Sequence, residues 1–83
     1  MPQAALAAMN KAVSLDPNNW NYRYGLALMQ AAAGLDPRPA TREALTLNPR
    51  EPLVQDEWST FQSGSPKEWE AEARSIAGGF TSL

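Results

Sequence analysis

The chain has no cysteine and no histidine among its 83 residues. Without cysteine there is no disulfide framework, no thiolate metal ligand and no thiol redox chemistry, and the compartment is left open. Without histidine the commonest general base and the commonest metal ligand are both missing. Serines are present, but with no imidazole to take a proton none has an evident base, so a serine nucleophile is not supported. Charge is sparse, at 19% of residues, and the net charge of −2 argues against a nucleic-acid surface. No run approaches the roughly 18 apolar residues that a membrane span needs. Met1 to Ala8 lacks the basic flank of a signal peptide, so none is expected. Gly78-Gly79 follows a predicted helix instead of opening one, so no Gly-rich phosphate loop is read here. Asp56 and Glu57 are adjacent, so on a helix they point about 100° apart, poor geometry for a shared metal or an acid–base pair. No catalytic residue, cofactor or metal is therefore expected, and the chain does not read as an enzyme.

What is present is helix and punctuation. The hydrophobic content is 43%, and seven prolines divide the chain. One domain over residues 1–83 is expected, small enough that folding buries only about 60–65% of the unfolded surface. Asp16 to Gly34 organises the rest. Asn18 or Asn19 can cap a helix after Pro17. Trp20, Tyr24, Ala27, Leu28 and Ala31 then recur at helical spacing, with Leu26 and Met29 widening the apolar stripe. Gly34 supplies the left-handed residue that ends it.

The flanking segments read as cover for this helix. Pro2 to Leu15 is a first helix, apolar over a wide arc. The prolines at 37 and 39 bound a short third helix over 40–47, with Ala44 and Leu47 inward, Leu45 at the border, and Arg42 and Glu43 in water. Pro49 and Pro52 precede a fourth over 53–63, edged by Val54, Trp58 and Phe61. Ser65-Pro66-Lys67-Glu68 is a capping box that opens a fifth. That helix runs to about Ala77 with Trp69, Ala73 and Ile76 inward, Gly78-Gly79 ends it, and Phe80 folds back on the core. No stretch alternates with period two. The pattern predicts an all-α array of five antiparallel helices.

An internal period supports the array. Ala12-Val13-Ser14-Leu15-Asp16-Pro17 and Ala44-Leu45-Thr46-Leu47-Asn48-Pro49 match class by class, 32 residues apart. This motif resembles the end of a tetratricopeptide repeat, a helix-turn-helix unit of about 34 residues. Trp20, Leu26, Ala27 and Gly34 fit the first helix of that unit. The resemblance implies an α-solenoid fragment: 2–15 as a second-half helix, 20–47 as a complete repeat, and 53–77 as a degenerate one. More narrowly, Asn19-Trp20-Asn21-Tyr22-Arg23-Tyr24, with Leu26-Ala27 and Leu47-Asn48-Pro49, resembles the repeat tails of bacterial O-antigen ligase and polymerase-like membrane proteins. Their glycan chemistry belongs to a membrane part, so no catalytic residue carries over. That resemblance implies an extracytoplasmic location and the general one a cytoplasmic location, so the compartment stays open.

The tetratricopeptide resemblance implies a protein or peptide partner held in a concave groove. The positions that map there are Asn21, Tyr24, Leu28, Leu53, Asp56 and Thr60. Tyr24 offers an apolar ring with a polar tip, a combination common at interfaces; the alternative is that Tyr24 and Leu28 pack against the array's own helices. Tyr24 and Leu28 also stand where a carboxylate clamp for chaperone tails would need polar side chains, so such a tail is not expected. Trp20, Trp58 and Trp69 read as core. Helix one, with Leu6, Met9, Val13 and Leu15 over a wide arc and its partner helix missing, reads as a self-association surface, most simply for a two-fold dimer.

Overall fold

The described residues form five α-helices and no strand. In this computed structural model those are residues 2–81, with side chains described for 3–76. The helices are α1 (Pro2–Leu15), α2 (Trp20–Ala32), α3 (Arg38–Leu47), α4 (Pro52–Ser63) and α5 (Pro66–Thr81).

Backbone groups freed at each helix end are taken up locally, and the first and third connections do it in the same way. Asp16 N–H donates to the Ala12 carbonyl at 3.0 Å, and Asn48 N–H to the Ala44 carbonyl at 2.9 Å. The Ser14 hydroxyl donates to the Asn10 carbonyl at 3.1 Å, and the Thr46 hydroxyl to the Arg42 carbonyl at 2.9 Å. Asn19, not Asn18, caps α2, its side-chain oxygen accepting from the amides of Asn21 and Tyr22 at 3.0 and 3.3 Å. Glu51 caps α4 by accepting from the Leu53 amide at 3.4 Å. Arg23 Nε donates to the Pro17 carbonyl at 2.8 Å, and Gln55 Nε2 to the Pro49 carbonyl at 2.6 Å. Each of these pairs is offset by 32 residues, the period seen in the sequence.

The α2 terminus closes with Gly34 at φ +79°, the one left-handed residue among those described. Leu35 N–H bonds the Gln30 carbonyl at 2.8 Å and Gly34 N–H the Ala31 carbonyl at 3.1 Å, the paired bonds of a Schellman turn. The third helix begins two residues earlier than the sequence suggests. Asp36 accepts from the Arg38 amide at 3.0 Å, and Pro39 fits the first turn because its missing N–H has no helical partner there. At α5 the Glu68 carboxylate accepts from the Ser65 amide at 3.3 Å. The Ser65 hydroxyl donates to that carboxylate at 3.0 Å, so one half of the capping box forms.

Gly78-Gly79 does not end α5, which continues to Thr81. Two glycines weaken a helix by about 1 kcal/mol each without forbidding it, and no proline follows to stop it. The Phe80 side chain lies outside the described residues.

α2 is the hub, packed by α1, α3 and α5; α3 also packs on α4. Leu26, Ala27 and Ala40 form one core cluster, with Leu6, Met9 and Val13 of α1 against it. Tyr24, Ala44 and Val54 form a second, edged by Trp20, Leu28 and Leu45. Ala31, Phe61, Trp69 and Ala73 form a third, with Leu28 again alongside. Alanines at the contacts let the helix axes approach closely. Thr41 is fully buried on α3, its hydroxyl satisfied by the Pro37 carbonyl at 2.7 Å. Leu47, expected inward, is 38% exposed, because Leu45 takes the inner place at the end of α3.

The fifth helix departs from a regular helix ladder. α5 has only a thin contact with α4 and lies along α2 instead. The extents of 28 × 28 × 27 Å show the result: the helices close on one another instead of extending along an axis.

Candidate functional site

An apolar groove of about 300 Å³ runs between α2 and α5, lined by Asn21, Tyr24, Gly25, Leu28, Met29, Ala32, Ala73 and Ile76. Helical spacing accounts for the α2 wall: Asn21, Tyr24, Gly25, Leu28, Met29 and Ala32 fall at i, i+3, i+4, i+7, i+8 and i+11. Ala73 and Ile76, three apart, supply the facing wall. Three of the six residues assigned to a groove from the sequence, Asn21, Tyr24 and Leu28, therefore meet in one. The other three are not in it: Leu53 and Asp56 are exposed and Thr60 is half-buried on α4. The α4 residues turned toward α2 and α5 are instead Val54 and Phe61.

Tyr24 is only 7% exposed, its ring tilted against Trp20 with centroids 6.3 Å apart. Burial, then the charges of Glu57, Glu72, Glu51 and Asp56, push its hydroxyl up to about 12. Tyr24 is thus a neutral phenol at physiological pH. It can donate a hydrogen bond, but it is not an activated nucleophile or base.

Glu57 does not stand out in the sequence as a buried residue, yet it is 6% exposed on α4, and its Oε2 has no hydrogen-bond partner. Burial, then the neighbouring carboxylates Glu72 and Asp56, raise its pKa to about 7. A legible signal exists. Val54, Glu57 and Phe61 stand at i, i+3 and i+7, which puts Glu57 on the stripe and Trp58 at its border.

The tryptophans divide. Trp69 is buried, donates its indole N–H to the Phe61 carbonyl at 3.1 Å, and lies under the Arg38 guanidinium at 5.1 Å. Trp58 is half-buried beneath Arg42 at 5.5 Å. Gly64 permits the Trp69 placement, since a Cβ there would stand 3.2 Å from the indole and 3.1 Å from the Thr60 carbonyl. Arg23 pairs with Glu43 of α3. Asp36 and Arg38 pair at 2.9 Å, which holds the Asp36 carboxyl below its ordinary range.

Leu6, Met9 and Val13, assigned to self-association, are half-buried and turned onto Leu26, Ala27 and Ala40. The fit is close: a Cβ on Gly25 would stand 2.6 Å from the Met9 methyl. Of the expected strip, only Leu15 is widely exposed, at 76%. Among the described residues no helix is long and apolar enough to cross a membrane, and no group of acidic side chains is placed to hold a metal ion. No protein-family model, curated protein or solved structure matches the chain.

Proposed function

We propose that this chain is a non-catalytic helical-repeat scaffold that binds a protein or peptide, with the α2 face as its binding surface. The observation that carries this reading is the apolar groove beside Leu28 and Met29, rimmed by one polar side chain, Asn21. Grooves of this kind accept the apolar face of an amphipathic helix. The hydrogen bonds that recur with a 32-residue offset support the tetratricopeptide-like reading, because they repeat turn geometry as well as residue class. The test is selection of helical peptides from a displayed library on the chain. Groove-directed binders are expected to lose affinity when Leu28→Glu is introduced. Binders indifferent to that change, or none, would count against the reading.

A second reading is an accessory tail of a larger membrane-bound glycan ligase or polymerase-like protein, packing on its own chain or on a second copy. Exposed apolar residues favour it. Leu15, Leu47 and Leu53 are 76%, 38% and 54% exposed beside the two similar turns. The self-association expected of helix one narrows on this reading to the Leu15 end. Light scattering on the chain and on Leu15→Glu tests it: a dimer lost on substitution supports it, and an unchanged monomer opposes it.

A further inference from the structure

α5 lies on the same α2 face that the binding reading assigns to a partner. It is held by Trp69 and Ala73 in the cluster with Ala31 and Phe61, and by Ile76 at the groove wall. That is the footprint of an amphipathic helix with apolar residues at i, i+4 and i+7. The fit is incomplete. Ala73 is small, and the unfilled groove beside it is about 300 Å³. A helix with a larger apolar side chain at that position would bury more of Leu28 and Met29 than α5 does. We propose that α5 is an intramolecular ligand of the α2 face, displaced by a partner's amphipathic helix that fills the groove Ala73 leaves open.

The inference rests on the binding reading, and the α4/α5 seam gives it a control. That seam is thin, and it buries the Glu57 carboxylate with Oε2 unpaired. The charged groups that act on Glu57 are acidic: Glu72 from α5 and Asp56 from α4. α2 brings the neutral phenol of Tyr24. α3 brings Arg42, turned onto Trp58, and Glu43, taken up by Arg23. A protonated Glu57 is tolerated there. An ionised one is buried without a cation and faces Glu72, so its ionisation loosens α5. The hinge is short, and Gly64 lies under the Trp69 indole, so release of α5 withdraws that indole from the Phe61 carbonyl.

The test is hydrogen exchange on the full chain at pH 6 and pH 8, corrected for intrinsic exchange. A carboxyl with a pKa near 7 when docked and its ordinary value when released makes α5 open about tenfold more at pH 8. Amides over 66–76 are expected to lose about tenfold of their protection, while α1 to α3 keep theirs. Glu57→Gln should abolish the response, and Glu72→Gln should shrink it. The probe for displacement is a synthetic peptide of residues 66–81 carrying Ala73→Leu, followed by fluorescence anisotropy. Because it docks as α5 does and buries Glu57 against its own Glu72, it should bind the full chain about equally at pH 6 and pH 8, and more tightly than the same peptide with Ala73. Exchange of α5 together with α2 as one unit, a pH response that survives Glu57→Gln, or no peptide binding at either pH overturns the proposal. Library peptides that depend on Leu28 would stand through any of those results, so the binding role and the latch fail separately.

Discussion

The two proline turns, at 16–19 and 48–51, are built alike, yet the helical pairs that follow them close differently. After the first, α2 and α3 pack directly on each other, with Ala27 against Ala40 at the seam. After the second, α4 and α5 meet chiefly where Phe61 packs on Trp69 and Ala73, and α5 lies along α2. The chain's charge divides along the same line. Residues 1–50 carry five basic and three acidic side chains, a net of +2, whereas 51–83 carry two and six, a net of −4. Turn chemistry therefore sets where helices begin and end, while the inner faces decide which helices pair. Neutral side chains fill the buried part of the first seam, and the charges at its edge, Arg23 and Glu43, are of opposite sign. In the second unit the inner face carries Glu57 on α4, Glu72 stands near it on α5, and like charges in a poorly solvated seam repel.

The sharpest way to break the second unit is Phe61→Ala. Phe61 is fully buried, contributes to the cluster that joins α2, α4 and α5, and its carbonyl holds the Trp69 indole. Deleting a buried phenyl costs about 3–5 kcal/mol. For a domain this small that is a large part of its total stability. Chemical denaturation is expected to show a midpoint far below wild type, with loss of α5 preceding loss of α1 to α3 by helix-resolved exchange. A single cooperative loss of all five helices would show that the two units are one.

The next effect comes from Glu57 itself. Its pKa is raised in the fold, so the folded state holds the proton more tightly than the unfolded chain does. Its contribution is then fully present below the ordinary carboxylate range and is lost as pH rises through that range and up to about 7. The loss is at most about 3 kcal/mol, since each tenfold gain in proton affinity corresponds to roughly 1.4 kcal/mol. Glu57→Gln should therefore raise the urea midpoint at pH 8 and change it little at pH 4. The opposite sign, with wild type more stable at pH 8, would mean that the carboxylate has a partner.

Much of the fold is legible in the sequence. Gly34, the Asp36 to Pro39 break, the Ser65 to Glu68 start and the 32-residue period all act through the backbone within a few residues, so a local reading suffices. The hub role of α2 follows from the breadth of its stripe. Partner choice is not legible in the same way. Asn21, Tyr24 and Leu28 share one face by spacing alone, but nothing local says that α5, and not α4, supplies the opposite wall. The same limit applies to helix one. Its apolar arc is real, and whether Leu6, Met9 and Val13 meet a second copy or Leu26, Ala27 and Ala40 depends on the close approach that Gly25 allows. The burial of Glu57 and the exposure of Leu47 have a simpler reason. Leu47 sits on the last turn of its helix and Glu57 on an apolar stripe, and in both cases position outweighs residue type.

Within the first unit, Ala44→Trp probes the close seam. Ala44 is fully buried beside Tyr24 and Val54, so an indole there overpacks the core and costs about 1–3 kcal/mol or more. Arg42→Ala, two residues away and exposed, removes only its stacking on Trp58, worth about 0.5–1 kcal/mol at such a site. Equal shifts of the denaturation midpoint would contradict the inward placement of Ala44.

The smallest effect tests whether the two turns are energetically as alike as they are geometrically. Arg23 and Gln55 each donate a side-chain hydrogen bond to the carbonyl of the proline six residues before, at 2.8 and 2.6 Å. A hydrogen bond of this kind contributes about 0.5–1.5 kcal/mol net. Arg23 adds its pair with Glu43, whose side chain is 55% exposed, so that pair is screened and worth under about 1 kcal/mol. Arg23→Ala and Gln55→Ala should therefore destabilise by similar small amounts, with Arg23→Ala slightly the larger at low salt. Raising the salt to about 1 M should bring the two together, because only the ion pair is weakened strongly by screening. The two sites share no partner, so the double substitution should be additive within about 0.5 kcal/mol. A loss confined to Gln55→Ala would show that the second turn is the weaker closure. A coupled loss would mean that the two turns communicate through α3, the helix that begins after one unit's hub and ends at the next unit's start.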